Sequence, residues 1–322
     1  MTKRDAVLEI LIENIPVRFI LPAEEQFKAL AYSLMEEAGL PFYGIETCAT
    51  CRRLVIYIRQ IPARCGNRYP GKSAVDALRS VFAGAISGLK FPTTMLWGEE
   101  SIPFVRPIRG LLALYGDKAV VFDAAGLTSG RSSVTISANA PFPINVPSAE
   151  TYFKTLKNYG ILVKDKERMA LLRRTLTGFA RRASLRCDMD EDLLRENLYM
   201  AERPVCVFGE YSKDFLRLPP ELIILVIKKQ LKLFPLHDRK NRLKPFFLAI
   251  TDGISKGRHD ISNGFRNTAE ARLRGAVFLY SRDLSAEPRT ARITFAGRLG
   301  ACLKPLRSNV RRRLENMKKL GF

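Results

Sequence analysis

The sequence predicts an α+β, multi-domain protein with mixed and antiparallel sheets, flanking helices and a basic C-terminal helix. Three observations lead there. The chain has 322 residues, 47% of them apolar, enough to bury more than one core. Stretches of period-2 and of period-3.6 patterning come in blocks rather than in strict strand–helix alternation. Leu303 to Leu320 has helical spacing and carries seven basic residues against one acid, Glu315.

The elements follow in order. Ala6 to Ile12 alternates apolar and polar residues and reads as a strand. Pro22 is expected to open a helix that runs to about Ala38, with Glu24 and Glu25 in its first turn and Gly39 as its stop. Leu54 to Ile58 is a second strand. Pro62 to Lys72 is a loop, and Ser73 with Asp76 caps a helix that reaches about Ser87. Ile102 to Val146 is β-rich, broken at Gly116-Asp117 and at Gly126 to Gly130. From Ser148 to Tyr199 the pattern is helical. Met169, Leu172, Leu176 and Phe179 form an apolar stripe there, and Arg168, Arg173, Arg174, Arg181 and Arg182 supply the charge. Val205–Phe208 and Phe246–Ile250 are buried strands around a helix from Pro220 to Leu233, and a further helix covers Thr268 to Tyr280. The expected division is a strand-rich α+β region over 1–147, a helical insert over 148–200, an α+β region over 201–300 and the basic helix over 301–322.

Charge narrows the partner. Lys and Arg number 53 against 32 Asp and Glu, a net charge of +21. Such an excess points to a polyanion, and RNA is the leading candidate. An anionic membrane surface is the weaker one. The longest apolar runs, such as Leu222 to Ile227, are too short to span a bilayer, and no signal-peptide core or lipidation motif is present. Leu306, Val310, Leu314 and Met317 recur every three or four positions, but a core-facing stripe accounts for them. The expected location is the cytoplasm, with no membrane partner.

Chemistry-bearing motifs are scarce. The six cysteines are dispersed, as free thiols are. Cys48 and Cys51 form a C-x-x-C with Cys65 nearby, but the only histidines, His237 and His259, lie far along the chain. A zinc site would lack its fourth ligand, so no metal is expected. No phosphate-cradling glycine loop and no G-x-S-x-G is present. Asp188, Asp190, Glu191 and Asp192 precede a helix and fit its dipole better than catalysis. No catalytic residue is assigned. The candidate RNA contacts are Arg173, Arg174, Arg181 and Arg182 on one helix, Lys228, Lys229 and Lys232 on another, Arg272, and the terminal run Arg311, Arg312 and Arg313.

A series of phrases runs along the chain: Cys48-Ala-Thr-Cys-Arg52-Arg53-Leu54, Met95-Leu-Trp97-Gly98, Phe104-Val-Arg106-Pro107-Ile-Arg109 and Leu127-Thr-Ser129-Gly130-Arg131. Arg203-Pro204-Val-Cys-Val-Phe-Gly209, Phe215-Leu-Arg-Leu-Pro219-Pro220-Glu221 and Gln230-Leu-Lys-Leu-Phe234-Pro235 continue it, followed by Asn263-Gly264, Ala271-Arg272-Leu273 and Phe278-Leu-Tyr280. In that order they resemble the N-terminal half of the β subunit of the bacterial two-chain glycyl-tRNA synthetase. Most of these positions are expected to be structural, with Trp97 in a core, Pro219-Pro220 at a helix start and Gly130 in a turn. The resemblance singles out Arg52, Arg53, Trp97, Arg106, Arg109, Arg131 and Gln230 as positions in its motifs.

The resemblance implies a class II synthetase of two α and two β chains. The α chain holds ATP, Mg and glycine, and the β chain binds and orients the tRNA for glycine. This chain would then hold no complete active site and no cofactor of its own. It departs from the family pattern in several places. A customary segment is missing between Arg59 and Lys72, and the HD-like and anticodon-binding regions of the family do not follow. The usual Glu-Ile-Gly-Thr-Glu-Glu-Leu-Pro stands as Glu9-Ile-Leu-Ile-Glu13-Asn-Ile-Pro16, and a customary His is Lys229. These departures leave two further readings open: a diverged, stand-alone RNA-binding paralogue, and a fragment or reduced form with a mainly structural role. The resemblance also raises a hydrolytic editing module, since related domains in synthetases of this class clear wrong amino acids, but no general base can be named for it.

Overall fold

Arg4–Ile12 forms β1, and its registers on both sides make it the middle of the first sheet. The computed structural model describes residues 3–65, 72–96, 103–136, 141–253 and 257–285. The expected helix from Leu303 to Leu320, with Arg311, Arg312 and Arg313, lies outside the described residues, as does Trp97. The chain divides into two compact units. The first comprises 1–172, 195–205 and 251–254, and the second 173–194, 206–250 and 255–322.

In the first unit, α1 (Val17–Glu37), β2 (Gly44–Ala49), β3 (Arg53–Ile61), α2 (Ala74–Ser87), β4 (Ile108–Tyr115) and β5 (Lys118–Ala119) follow β1. The strands form an antiparallel sheet in the order β2-β3-β1-β4-β5. Alternation decides its two faces. Ala6, Leu8, Ile10 and Ile12 point to a core shared with Phe27, Ala31 and Met35 of α1 and Leu78, Val81 and Phe82 of α2. Val7, Val55, Tyr57, Leu112 and Leu114 point the other way, to Ile144, Val146, Tyr152 and Leu156. Covered on both faces, β1 loses the polar alternation of a surface strand, so Glu9 is its one buried charge.

Two expectations are corrected here. α1 starts at Val17, not at Pro22, which lies inside the helix. The apolar stripe already includes Ile20, so burial extends the helix backwards. The bond lost at Pro22 falls on an exposed stretch where water can serve the freed carbonyl. Glu24 is therefore beyond the first turn. At the other end Gly39, at φ 61°, donates to the Glu36 carbonyl and Leu40 donates to that of Met35, closing a Schellman turn. β2 is the second correction. The sequence reading has no strand there, because a short segment with Glu46 and Thr47 carries little β signal.

Ser73 caps α2 as expected, its Oγ accepting from the Asp76 amide at 3.1 Å. The β-rich stretch resolves into β6 (Asp123–Ala124), β7 (Leu127–Thr128), β8 (Ser132–Ile136) and β9 (Pro141–Asn145). Ala125 and Gly126, both at positive φ, join β6 to β7 in a tight hairpin. α3 (Tyr152–Asn158) and α4 (Asp165–Arg182) follow. Arg168 is not part of a solvated charged face. It is fully buried and donates to the carbonyls of Ala49, Leu162, Val163 and Leu198 and to Asp165 Oδ1.

The second unit is built on a four-stranded sheet. After β10 (Arg186–Cys187) and α5 (Glu191–Leu198) come β11 (Pro204–Glu210), α6 (Pro220–Leu225), β12 (Phe234–His237), β13 (Leu243–Asp252) and α7 (Arg258–Ser285). The sheet order is β10-β12-β13-β11. Val207, Phe215, Ile223, Ile227, Phe247, Ala269 and Leu273 make the core. Gly209 stands directly against the Phe247 ring, where a Cβ would lie 2.3 Å from Cζ. β12 is another unanticipated strand, masked in the sequence by Pro235.

The expected helix from Pro220 to Leu233 is shorter. α6 passes into a π-helical turn over Val226–Gln230, and the chain then reverses through Lys232 at φ 57°. Lys232 is thus beyond the helix that was expected to carry it. α7 is longer than the 268–280 expected, because Asn263-Gly264 weakens the helical signal without ending the helix.

Candidate nucleic-acid interface

Glu9 faces the side of the first sheet that α3 and the β8–β9 hairpin cover. A buried carboxylate must be neutralised and hydrogen-bonded. Arg53 Nε donates to Glu9 at 3.2 Å, Ser133 Oγ at 2.5 Å and Tyr152 OH at 2.5 Å. Arg53 also forms an ion pair with Glu202 and donates to the Val134 carbonyl. Glu202 accepts from Thr50 Oγ1 at 2.6 Å. Burial alone would push the Glu202 carboxyl up, but Arg53, Thr50 and Arg52 hold it below its ordinary range. Burial and the neighbouring Glu9 raise the Tyr152 hydroxyl well above the usual phenol range, so it stays a donor.

Arg52 continues the chain of charges outward. It pairs with Asp252, whose Oδ1 also accepts from the amides of Glu202 at 3.0 Å and Arg203 at 2.9 Å. The tight turn between β2 and β3 places Arg52 and Arg53 on this network, with Thr50 Oγ1 accepting from both of their amides.

Beside Arg52 is a cleft of about 680 Å3, lined by Leu11, Ile12, Glu13, Asn14, Arg52, Met95, Arg106, Arg109, Val134 and Pro141. Three family-phrase arginines, one from the first of these phrases and two from a later one, meet in it. Arg109 pairs with Glu13. Arg106 donates at 3.2 Å to the Met95 sulfur, a weak acceptor. The remaining lining is mostly aliphatic. A cationic guanidinium beside an apolar wall can hold an anion and a flat apolar group together.

The other family-phrase positions are elsewhere. Arg131 donates to the Asp117 carbonyl at 3.2 Å, and Ser129 and Gly130 before it bond to Val120, Phe122, Leu111 and Ala113. That phrase is a structural seam. Gln230 ends the π-helical turn. The two cysteines of the C-x-x-C are buried, with burial first and neighbouring carboxylates next pushing both thiols up to about 12. No group able to hold a metal ion occurs among the described residues.

The candidate RNA contacts gather on the second unit in unequal states. Arg174, Arg181, Arg182, Lys229 and Arg272 are exposed, and Arg182 also lies 4.5 Å over the Phe179 ring. Arg173 is committed to both carboxylate oxygens of Glu191, at 2.6 and 2.7 Å. Lys228 is largely covered and meets Asp188 at 2.5 Å and Asp190 at 3.2 Å. Lys232 is half-buried. The acidic cluster thus has local employment. Asp190 Oδ1 accepts from the Leu193 amide at 3.1 Å, which, with Lys228, holds its carboxyl below the usual range. The residues that sequence reasoning missed are Glu202, Asp252, Ser133 and Tyr152. The one available signal was Glu9, a carboxylate inside an otherwise apolar strand.

Comparison with known proteins identifies the relatives of this chain. The family profile described as glycyl-tRNA synthetase beta subunit matches residues 6–69 and 65–311. Its two stretches overlap at residues 65–69. A glycine–tRNA ligase beta subunit of Moorella thermoacetica is 30% identical over 94% of this chain and 52% of its own length. That of Dictyoglomus turgidum is 26% identical over 87% of this chain and 48% of its own. The chloroplastic/mitochondrial glycine–tRNA ligase 2 of Arabidopsis thaliana is 27% identical over 87% of this chain and 31% of its own length. The chain spans about half the length of the bacterial relatives it matches. The family match runs through both units, and with it the ordered phrases find their place: this chain belongs to the glycyl-tRNA synthetase beta subunit family.

Proposed function

We propose that the chain serves as a β-type subunit that binds the tRNA for glycine and supports its ATP-dependent glycylation by a catalytic α chain. The observation that carries this reading is the family match from residue 6 to residue 311. The net charge of +21 agrees with it, since Lys and Arg contacts to phosphates supply most of the affinity for RNA. ATP and Mg belong to the α partner in this reading, and the cytoplasm is its setting. Among the described residues no helix is long and apolar enough to cross a membrane.

The test is a glycylation assay with the α chain of the same source, its tRNA for glycine, ATP and labelled glycine. Charging is expected only when this chain is added. No stimulation, with the α chain competent beside a full-length β chain, defeats the proposal. RNA affinity should also fall steeply with added salt, and binding that is flat between low and physiological salt contradicts phosphate contact.

A second reading is a stand-alone RNA-binding paralogue. Lys229 favours it, standing where the family phrase carries His, with Gln230 retained beside it. RNA binding without association to any α chain would select it.

A further inference from the structure

We propose that the cleft of the first unit is a binding subsite for a single nucleotide of an RNA strand, with the phosphate on Arg106 and the base against the apolar wall. The inference deepens the reading of the chain as an RNA-binding subunit and rests on it.

Three features of the cleft select this occupant. The first is the state of its cations. Arg109 is paired with Glu13, and Arg52 is paired with Asp252. Among the described residues, Arg106 has the Met95 thioether as its side-chain acceptor, at 3.2 Å. A thioether does not offset a guanidinium charge, so an incoming phosphate exchanges a weak acceptor for a strong, charge-assisted one. The second feature is the wall. Leu11, Val134 and Pro141 present aliphatic surface, and a base is a flat apolar face attached to an anion. An acidic peptide would satisfy the arginine and leave that wall bare. The third is the polar edge. Asn14 is exposed at the rim and brings an amide donor and acceptor together, and Glu13 brings acceptors. Such groups read the edge of a base.

The cleft is also held in shape without a ligand. Its Arg52 is fixed by Asp252, and its Val134 carbonyl is fixed by Arg53 from the buried network. A preformed wall loses little ordering entropy on binding. At about 680 Å3 it has the dimensions of a small-molecule site rather than of a groove for a folded helix.

The experiment uses the full chain and two titrations. In the first, adenosine 5′-monophosphate, adenosine, inorganic phosphate and a short poly-glutamate peptide are titrated against wild type, Arg106→Gln and Arg79→Gln by calorimetry. Arg79 is an exposed control on α2, outside the cleft. The monophosphate is expected to bind at least about tenfold more tightly than adenosine or phosphate alone, and Arg106→Gln to weaken it by about tenfold or more. Arg79→Gln should change nothing. In the second, the same proteins are titrated with tRNA. Monophosphate binding that Arg106→Gln leaves intact, or no monophosphate binding by wild type, overturns the subsite. Equal binding of the peptide and the monophosphate overturns it in favour of a protein carboxylate. If wild type binds the monophosphate at Arg106 but fails to bind tRNA, the RNA-subunit reading falls while the nucleotide site stands. Since Arg106→Gln could unfold the unit, thermal melts of each variant accompany the titrations, and Arg106→Lys, which keeps the charge but loses the fork, is expected to retain partial binding.

Discussion

Among the described residues, the two units differ in where they place arginine: the first encloses two completely beside several exposed ones, and the second leaves its arginines at or near the surface. In the first, Arg53 and Arg168 are completely buried, and each is enclosed by carboxylates or carbonyls of its own unit. In the second, Arg174, Arg181, Arg182 and Arg272 stand in solvent, and Arg173 is tied only to an exposed partner. Removing a charge from water costs several kcal/mol unless its partners are fixed. A buried arginine is therefore part of the framework. An exposed one costs the fold little and stays available to a polyanion, at the mercy of salt. A sequence with 53 Lys and Arg hides this distinction, since both kinds add equally to the net charge.

The sharpest way to break the contrast is Arg53→Leu. It leaves Glu9 buried without its cation and Glu202 with only the more distant Arg52. The expected loss is about 3–5 kcal/mol, measured by urea unfolding at neutral pH. A loss below about 1 kcal/mol would mean that the network carries no structural weight, and the two units would not differ as argued.

The second unit has its own rigid point, and it is apolar. Gly209→Ala sets a Cβ 2.3 Å from the fully buried Phe247 ring, which cannot retreat within a packed core. The expected cost is about 2–3 kcal/mol, read as a shift of the urea midpoint. A neutral outcome would show that the ring has room to move.

Much of the fold was legible, and so was a part of the site. Ser73 and Asp76 marked the start of α2, and the apolar runs of β1, β3, β11 and β13 marked strands, because these signals are local. β2 and β12 were not legible. Their pairing comes from neighbouring strands, and neither carries enough β-branched residues to announce itself. The buried network was hidden for the same reason. Glu9, Arg53, Glu202 and Asp252 are up to about 240 residues apart in sequence, and no spacing rule joins them. The cleft was half visible, since the family phrases named its three arginines without indicating that they meet.

A smaller effect separates buried from half-buried charge within the first unit. Burial, and then the nearby Asp165, push the Glu24 carboxyl up to about 7, against the pull of Thr47, Arg168 and Lys28. Its ordinary value is 4.5. The unfolded chain thus ionises first as pH rises. Stability from this group is fully present below about pH 4.5 and is lost as pH rises to about 7. Glu24→Gln should remove that loss. The full displacement would be worth about 3 kcal/mol, and partial contact with water reduces the expected gain to about 1–2 kcal/mol above pH 7. Urea unfolding across pH should show the variant more stable above neutrality and equal to wild type in acid. A constant difference at every pH would remove ionisation as the cause.

The smallest effect tests the other side of the comparison. Arg173 reaches Glu191 with two short contacts, a geometry that resembles a strong ion pair. Both side chains are nevertheless open to water, at 40% and 66% exposure. Solvent screens the attraction, and holding two long side chains still costs entropy. Arg173→Gln should therefore change stability by less than about 1 kcal/mol, and less again in high salt. Urea unfolding at low and high salt checks this. A loss above about 2 kcal/mol that survives high salt would place Arg173 with Arg53 in the framework and take it from the proposed RNA contacts. A small, salt-sensitive loss keeps it with Arg174, Arg181 and Arg182, where releasing Glu191 is all that an incoming phosphate must achieve.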